Sequence, residues 1–417
     1  MLKHLKESDH ILYEMVQDEL LRQRQGIEMI ASESFVPYEI LELQGSILTN
    51  KTMEGFPGRR YHAGHEVIDR IETLAIERAK ALYRAEHAVV QPHSGSQANH
   101  SVYQALIKPG DTILGMRLDH GGHLSHGSSV NLSGKIYKSV FYGLNPETET
   151  IDYRDLEAKA LEHRPRIIIA GASAYPRFID YERIAAIARG VEAYFLVDMA
   201  HIAGLVAAGV HPTPVPFADV VTGTTTKNLG GARGGFILSR GEYAAKLDKA
   251  TFPGVQGSMH MHIMGAKAFT FMRAGTDEFK GVMTQVVKNA RTLGEALKDR
   301  GFRLVTGGTD NHLLLVDLRP KGLTGEKLEK ALERVGITVN KNMIPNDPEK
   351  PMVTSGVRIG VTAMTMKGAL EGDMQKIAGL IDEVARHPQD ETVLDRIAAE
   401  AREIALKFPL YPGIEEE

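Results

Sequence analysis

Cysteine is absent from all 417 residues, which excludes a disulfide framework and a thiolate metal site. No run approaches the about 18 consecutive apolar residues that a membrane-spanning helix needs. The opening stretch, MLKHLKESDHILYEMVQDELLRQRQ, has no apolar core of the kind that marks a secretory signal, so the expected setting is soluble and cytoplasmic. Neither sign of charge is in excess: 49 Lys and Arg stand against 53 Asp and Glu, a net charge of −4. That near balance gives no ground for a nucleic-acid partner. Internal repeats and low-complexity segments are also missing. What remains is 43% hydrophobic and 24% charged, ordinary for a globular protein, and too long a chain for one small core.

Apolar residues Ile11, Leu12, Met15, Leu20 and Leu21 recur at helical spacing, which predicts a helix from Ser8, as N-cap, to about Arg24. This N-terminal arm, residues 1–25, packs on a second subunit or on its own body. The middle of the chain alternates short apolar runs with helical stretches. HAVV (87–90), TILGM (112–116), RIIIAG (166–171), YFLVD (194–198), DVVTG (219–223) and GGFILS (234–239) read as buried strands. Helices are expected over Gln97–Leu106, Ile151–His163 and Tyr181–Arg189, the last with Asp180 as N-cap. Such alternation predicts an α/β layered domain with a largely parallel sheet over residues 26–275. Beyond it, residues 276–417 read as a smaller α+β domain on a long connecting helix. GFRLV (301–305), HLLLVDL (312–318), ITVN (337–340) and GVRIG (356–360) are its strands, with a helix near Gly325–Val335 and further helix through Lys407. Glu415–Glu417 reads as a solvated charge run.

Four segments carry chemistry. In VVTGTTTKNLGGARGG (220–235) one lysine, Lys227, follows a strand among threonines and paired glycines, where backbone can approach a ligand closely. A lone lysine in a loop is usually just solvated; here the surroundings suit an amine that condenses with a cofactor aldehyde. VVQPHSGSQAN (89–99) leads from a strand through Ser94-Gly95-Ser96 into a helix, whose first N–H groups can take an anion. In LVDMAH (196–201) Asp198 ends a buried strand, where α/β sheets bind ligands. It is either a helix cap or a partner for a cofactor's ring nitrogen. LDHGGHLSHGS (118–128) holds three histidines, at 120, 123 and 126. Metal binding is the rival use, but a Gly-rich loop is not a rigid ligand face, and a flat ring stacked on an aromatic cofactor suits it. No metal site is expected.

Assembled, these segments resemble the serine hydroxymethyltransferase family along nearly the whole chain, from IASESF (30–35) to VRIGVTAMTMKG (357–368). The resemblance implies the aspartate-aminotransferase-like fold of the large pyridoxal-phosphate class (fold type I). It also implies pyridoxal 5′-phosphate as cofactor, tetrahydrofolate as co-substrate, and a homodimer or tetramer with active sites at the interface. Lys227 would carry the cofactor, Asp198 pair with its ring nitrogen, His123 stack on the ring and His201 support its phenolic oxygen. Ser94, Gly95 and Ser96 would cradle the phosphate, with Ser173 a further contact and Gly257 and Ser258 reaching in from a partner. Arg358 with Ser32 would fork onto the amino acid's carboxylate. Glu54, a proton-handling carboxylate, would also meet folate, as would Tyr61, Leu118, Leu124 and Asn342.

Three positions depart from the family pattern. Thr52 stands where a tyrosine is usual, His62 where a second tyrosine follows Tyr61, and Thr226 where a histidine precedes the lysine. NLGGARGG also differs from the usual threonine, basic and proline residues. Thr52 and Thr226 remove ring-sized groups near the substrate's Cα. The expectation is a pocket enlarged for 2-methylserine, with D-alanine as product. The alternatives are ordinary serine/glycine transfer, a folate-independent aldolase or transaldolase, an aminotransferase, and a non-catalytic scaffold.

Overall fold

The computed structural model describes residues 2–414, so the charge run at Glu415–Glu417 lies outside the described residues. The chain forms two compact units, one of residues 36–284 and one of the residues before and after it.

The larger unit is built on a seven-stranded sheet: β1 (His87–Val89), β2 (Thr112–Met116), β3 (Lys138–Tyr142), β4 (Ile167–Ala170), β5 (Tyr194–Asp198), β6 (Val220–Thr224) and β7 (Gly235–Ser239). Their spatial order is β1-β7-β6-β5-β4-β2-β3. From β6 to β3 every pairing is parallel; β7 runs antiparallel to β6 and to β1. Both faces are covered, which is why these strands are near-continuous apolar runs rather than alternating ones: Ile167 to Ala170 are all fully buried. One face packs Val102, Tyr103 and Leu106 of the helix Gly95–Leu106 against Ile113, Ile167, Ile169 and Leu196. Strand β3 was not among the expected strands, because KSVFY mixes exposed and half-buried positions at a sheet edge.

The other unit carries a four-stranded antiparallel sheet, β8 (Arg303–Leu304), β9 (Leu313–Asp317), β10 (Asn340–Asn342) and β11 (Gly356–Gly360), in the order β8-β9-β11-β10. The helices Gly325–Arg334, Glu371–Arg386 and Glu391–Leu406 belong to it. The expected strand 337–340 is two pieces. Ile337–Thr338 pairs in parallel with Ile27–Glu28, and Asn340–Asn342 joins β11. Glycine is required at 360, because a Cβ there would meet Ala31 Cα at 2.3 Å; this close approach seats the segment bearing Ser32 on the end of the strand that bears Arg358.

The N-terminal helix starts later than expected. Ser8 closes a short helix, Lys3–Ser8, its hydroxyl donating to the His4 carbonyl (2.8 Å), and Asp9 caps His10–Gln25 by accepting from Leu12 N (3.0 Å). A carboxylate cap also suits the positive end of the helix dipole. Among the described residues, no helix is long and apolar enough to cross a membrane.

Candidate active site

The C-terminal ends of β5 and β6 open into a cavity of about 180 Å³ in the larger unit. Of the residues singled out from sequence, Ser94, Gly95, Ser96, His123, Ser173, Asp198, His201, Thr226 and Lys227 all line it. His126, Thr224 and Arg233 join them.

Each is placed by local structure. Ser94 is the N-cap of Gly95–Leu106, its Oγ accepting from Gln97 N (3.1 Å), while Gln97 Oε1 accepts from His93 N (2.6 Å). The helix thus begins on a satisfied cap and turns its remaining N–H groups toward the cavity end of the sheet. Lys227 follows β6 with a positive φ of 24°, a backbone state that costs a side-chain-bearing residue and persists only when its neighbours enforce it. Asn228 does so: its Nδ2 donates to the His201 carbonyl (2.5 Å) and its Oδ1 accepts from Gly204 N (2.8 Å). Thr225 Oγ1 donates to the Ala232 carbonyl at 2.6 Å, closing the loop behind the lysine.

Asp198 sits in a buried hydrogen-bond network. Its Oδ1 accepts from Ala200 N (3.0 Å), the turn-capping role that any strand-end aspartate could fill. Its Oδ2 does more, lying 2.8 Å from Asn99 Nδ2 and 3.0 Å from His126 Nε2. Burial alone would raise this carboxyl's pKa, but the His126 bond and charge, with His123 and Lys227 nearby, hold it well below the usual carboxylate range. Asn99 is oriented by the Thr222 hydroxyl, which donates to its Oδ1 at 2.6 Å, and its amide also donates to Ser125 Oγ at 2.9 Å. Ser125 passes the chain on: its N–H (3.1 Å) and Oγ (2.7 Å) both meet His123 Nδ1. Two donors on Nδ1 put the proton of a neutral ring on Nε2. Burial, then the charge of His126, pushes the His123 pKa down to about 4, so the ring is uncharged at neutral pH.

Sequence reading singled out Asp198 and His123 but gave no role to Asn99, Ser125, Thr222 or His126, which hold them. The signals were present in part. Asn99 lies one helical turn after the Ser94-Gly95-Ser96 cap, and His126 was one of three noted histidines. His123, His126 and Asp198 each bring one donor atom within 4.8 Å of the others, as a metal would require. His126 Nε2 and Asp198 Oδ2 are bonded to each other at 3.0 Å, and His123 Nδ1 is bonded to Ser125. A lysine amine, an anion-accepting helix start, an ionised buried carboxylate and an uncharged flat ring together fit pyridoxal phosphate better than a cation.

Other expected residues lie outside this cavity. Thr52, Glu54, Tyr61 and His62 flank or follow the hairpin Gly55–Phe56/Arg59–Arg60. Tyr61 is 72% exposed, and Leu118 and Leu124 are 47% and 43% exposed. Gly257 and Ser258 do not line the cavity; Ser258 Oγ accepts from Met53 N (2.7 Å), next to Glu54. In the second unit, Arg358 Nε donates to Asn340 Oδ1 (3.0 Å), and burial pushes its guanidinium down to about 10. Asn342 Nδ2 donates to the Met343 carbonyl at 2.7 Å. Ser32 follows Ala31, whose carbonyl lies 3.1 Å from His312 Nε2.

Comparison with known families agrees with this geometry. The family model described as serine hydroxymethyltransferase matches residues 5–381, and the chain belongs to that family. It is therefore a fold-type-I pyridoxal-phosphate enzyme, a one-carbon transferase that uses tetrahydrofolate and acts on serine- or glycine-type amino acids.

Proposed function

We propose that this member of the family moves a hydroxymethyl group between 2-methylserine and tetrahydrofolate, releasing D-alanine, with overlapping activity on serine and glycine. The observation that carries the substrate is the side chain beside the lysine. Thr226 lines the cavity, and its Oγ1 lies 2.8 Å from Thr224 Oγ1, where the family usually carries a histidine ring. Thr52 leaves out a second ring. Both shortenings favour a substrate with an extra group on Cα.

Bound pyridoxal phosphate supplies an electron sink into which a bond at the amino acid's Cα can break. The chain's own residues do the rest. Lys227 would provide the amine that holds the cofactor, and Asp198, kept ionised, would accept the hydrogen bond of the ring nitrogen and keep its proton there. The Ser94–Ser96 turn, with Ser173, would take the phosphate. The uncharged His123 ring would stack on the cofactor, and His201 would support the phenolic oxygen. Arg358 with Ser32 grips the carboxylate and so fixes which Cα bond is presented for cleavage. Glu54 takes the proton of the substrate hydroxyl as Cα–Cβ breaks. Formaldehyde leaves and tetrahydrofolate captures it, with loss of water, at a subsite of Tyr61, Leu118, Leu124 and Asn342. No Cα–H bond has to break when 2-methylserine is the donor, so a quaternary carbon is no obstacle; Cα then takes up one proton, which Glu54 can return, to give D-alanine.

The assembly in this reading is a homodimer, with Gly257, Ser258 and the Glu54–Tyr61 hairpin serving the partner's site. Their position outside the cavity of Lys227 supports it. The deciding experiment is turnover of 2-methylserine and of serine by the purified enzyme, with and without tetrahydrofolate. Preference for 2-methylserine with a folate requirement is the expected result. A strong preference for serine would remove the substrate assignment, and turnover indifferent to folate would make the enzyme an aldolase.

A further inference from the structure

Lys267 lies on the helix Met261–Ala274, outside the cavity, and is among the largest fully buried side chains. Its Nζ touches three backbone carbonyls: Val90 at 2.6 Å, Gly235 at 2.8 Å and Pro92 at 2.9 Å. Three acceptors are matched by three N–H bonds only in the ammonium form, since a neutral amine would turn a lone pair onto one oxygen. Burying that charge is costly, and an apolar side chain of similar volume would commonly be neutral or better for stability. The three carbonyls share one location, and that points to its use. Val90 and Pro92 lead from β1 into the Ser94 turn, and Gly235 opens β7.

The junction has no slack. Gly235 N donates to the Pro92 carbonyl at 2.9 Å. A Cβ on Gly235 would meet the Ser94 carbonyl at 2.2 Å, and one on Gly234 would meet Lys267 Cε at 2.2 Å. The Ser94 carbonyl in turn accepts from Ala98 N (3.0 Å), in the first turn of Gly95–Leu106. Lys267 thus fixes the carbonyls on which the anion-accepting helix start rests. Burial pushes its pKa down to about 7 and the Glu72 carboxylate pulls it back up, so the ammonium that three carbonyl acceptors favour puts positive charge behind that start in a low-dielectric interior.

We propose that Lys267 is a positioning residue for the phosphate end of the cofactor: it holds the Ser94–Gly95–Ser96 turn in shape and adds to its pull on an anion. This rests on the reading of that turn as the phosphate cradle. The test uses the apoenzyme and two probes that differ only in the phosphate, pyridoxal phosphate and pyridoxal, with binding followed by the visible absorbance of the bound aldehyde. Wild type should bind the phosphorylated probe much more tightly. Lys267→Met should lose about ten- to a hundredfold of affinity for pyridoxal phosphate and less than about threefold for pyridoxal, as expected when buried acceptors lose a charged donor. Gly234→Ala, which displaces the lysine stem without removing its charge, should narrow the same ratio and decides the matter if Lys267→Met does not fold. An unchanged ratio in the variants would overturn the role of Lys267. A wild type indifferent to the phosphate would instead overturn the cradle itself.

Discussion

In the proposed reading, substrate choice turns on Thr226. Restoring a ring with Thr226→His should refill the space beside Lys227. One methyl group is worth about 1–3 kcal/mol in such a pocket, so the ratio of kcat/KM for 2-methylserine over serine should fall by about ten- to a hundredfold. Parallel kinetics on the two substrates measure it, and a ratio left intact would mean that the residue does not bound the Cα substituent. His123 makes a second prediction at the same scale. Its pKa is pushed down to about 4 in the fold, from about 6.5 in an unfolded chain. Between those values the unfolded chain binds the extra proton, so stability falls as pH drops from about 6.5 to about 4 and the loss is complete below that. Thermal melts of the apoenzyme across this range should show the decline, and His123→Phe should flatten it. Some slope should persist, because burial also lowers the pKa of His93, His100 and His262.

At the scale of elements, the hairpin that follows Glu54 is held from beneath by a buried ion cluster. Arg60 Nη1 donates to the Gly55 carbonyl (2.6 Å), its Nε meets Asp69 (2.8 Å), and it pairs with Glu72. Gln91 Nε2 adds bonds to Glu72 (2.7 Å) and Gly55 (2.9 Å). Arg60→Met would strand the Glu72 carboxylate, a loss of about 3–5 kcal/mol, and should raise the KM for tetrahydrofolate by freeing the hairpin. Adding Glu72→Gln should restore much of the stability; urea melts of the single and double variants test this. Elements also show where sequence reading succeeds. TILGM, YFLVD and GVRIG coincide with β2, β5 and β11, because each is a short apolar run ended by a charged residue or a turn. That Lys227, Asp198 and the Ser94 turn come together at one cavity was legible for a related reason: they stand at or just past strand ends, where chain direction and chemistry change together, whereas His123 lies further along the loop after β2. The split of ITVN was not legible, since it depends on Ile27, a partner distant in sequence. Nor was the work of Asn99, whose helical position looks like any other buried polar residue until its amide is seen on Asp198.

For the whole molecule, the matter is one of order. The strand Ile27–Glu28 pairs with Ile337–Thr338, and Ala31 lies against Gly360, so a segment translated early belongs with one translated much later. Residues 36–284 can collect all seven strands of their sheet while the N-terminal stretch waits, unpaired, for partners not yet translated. Stalled nascent chains ending near residue 300 should therefore resist protease across 36–284 and be cut within 1–35. Protection of that leading stretch should arrive only once β11 has been made. On the proposed role of Arg358, which sits on that strand, the enzyme would thus acquire the means to hold its cofactor well before it could hold its substrate.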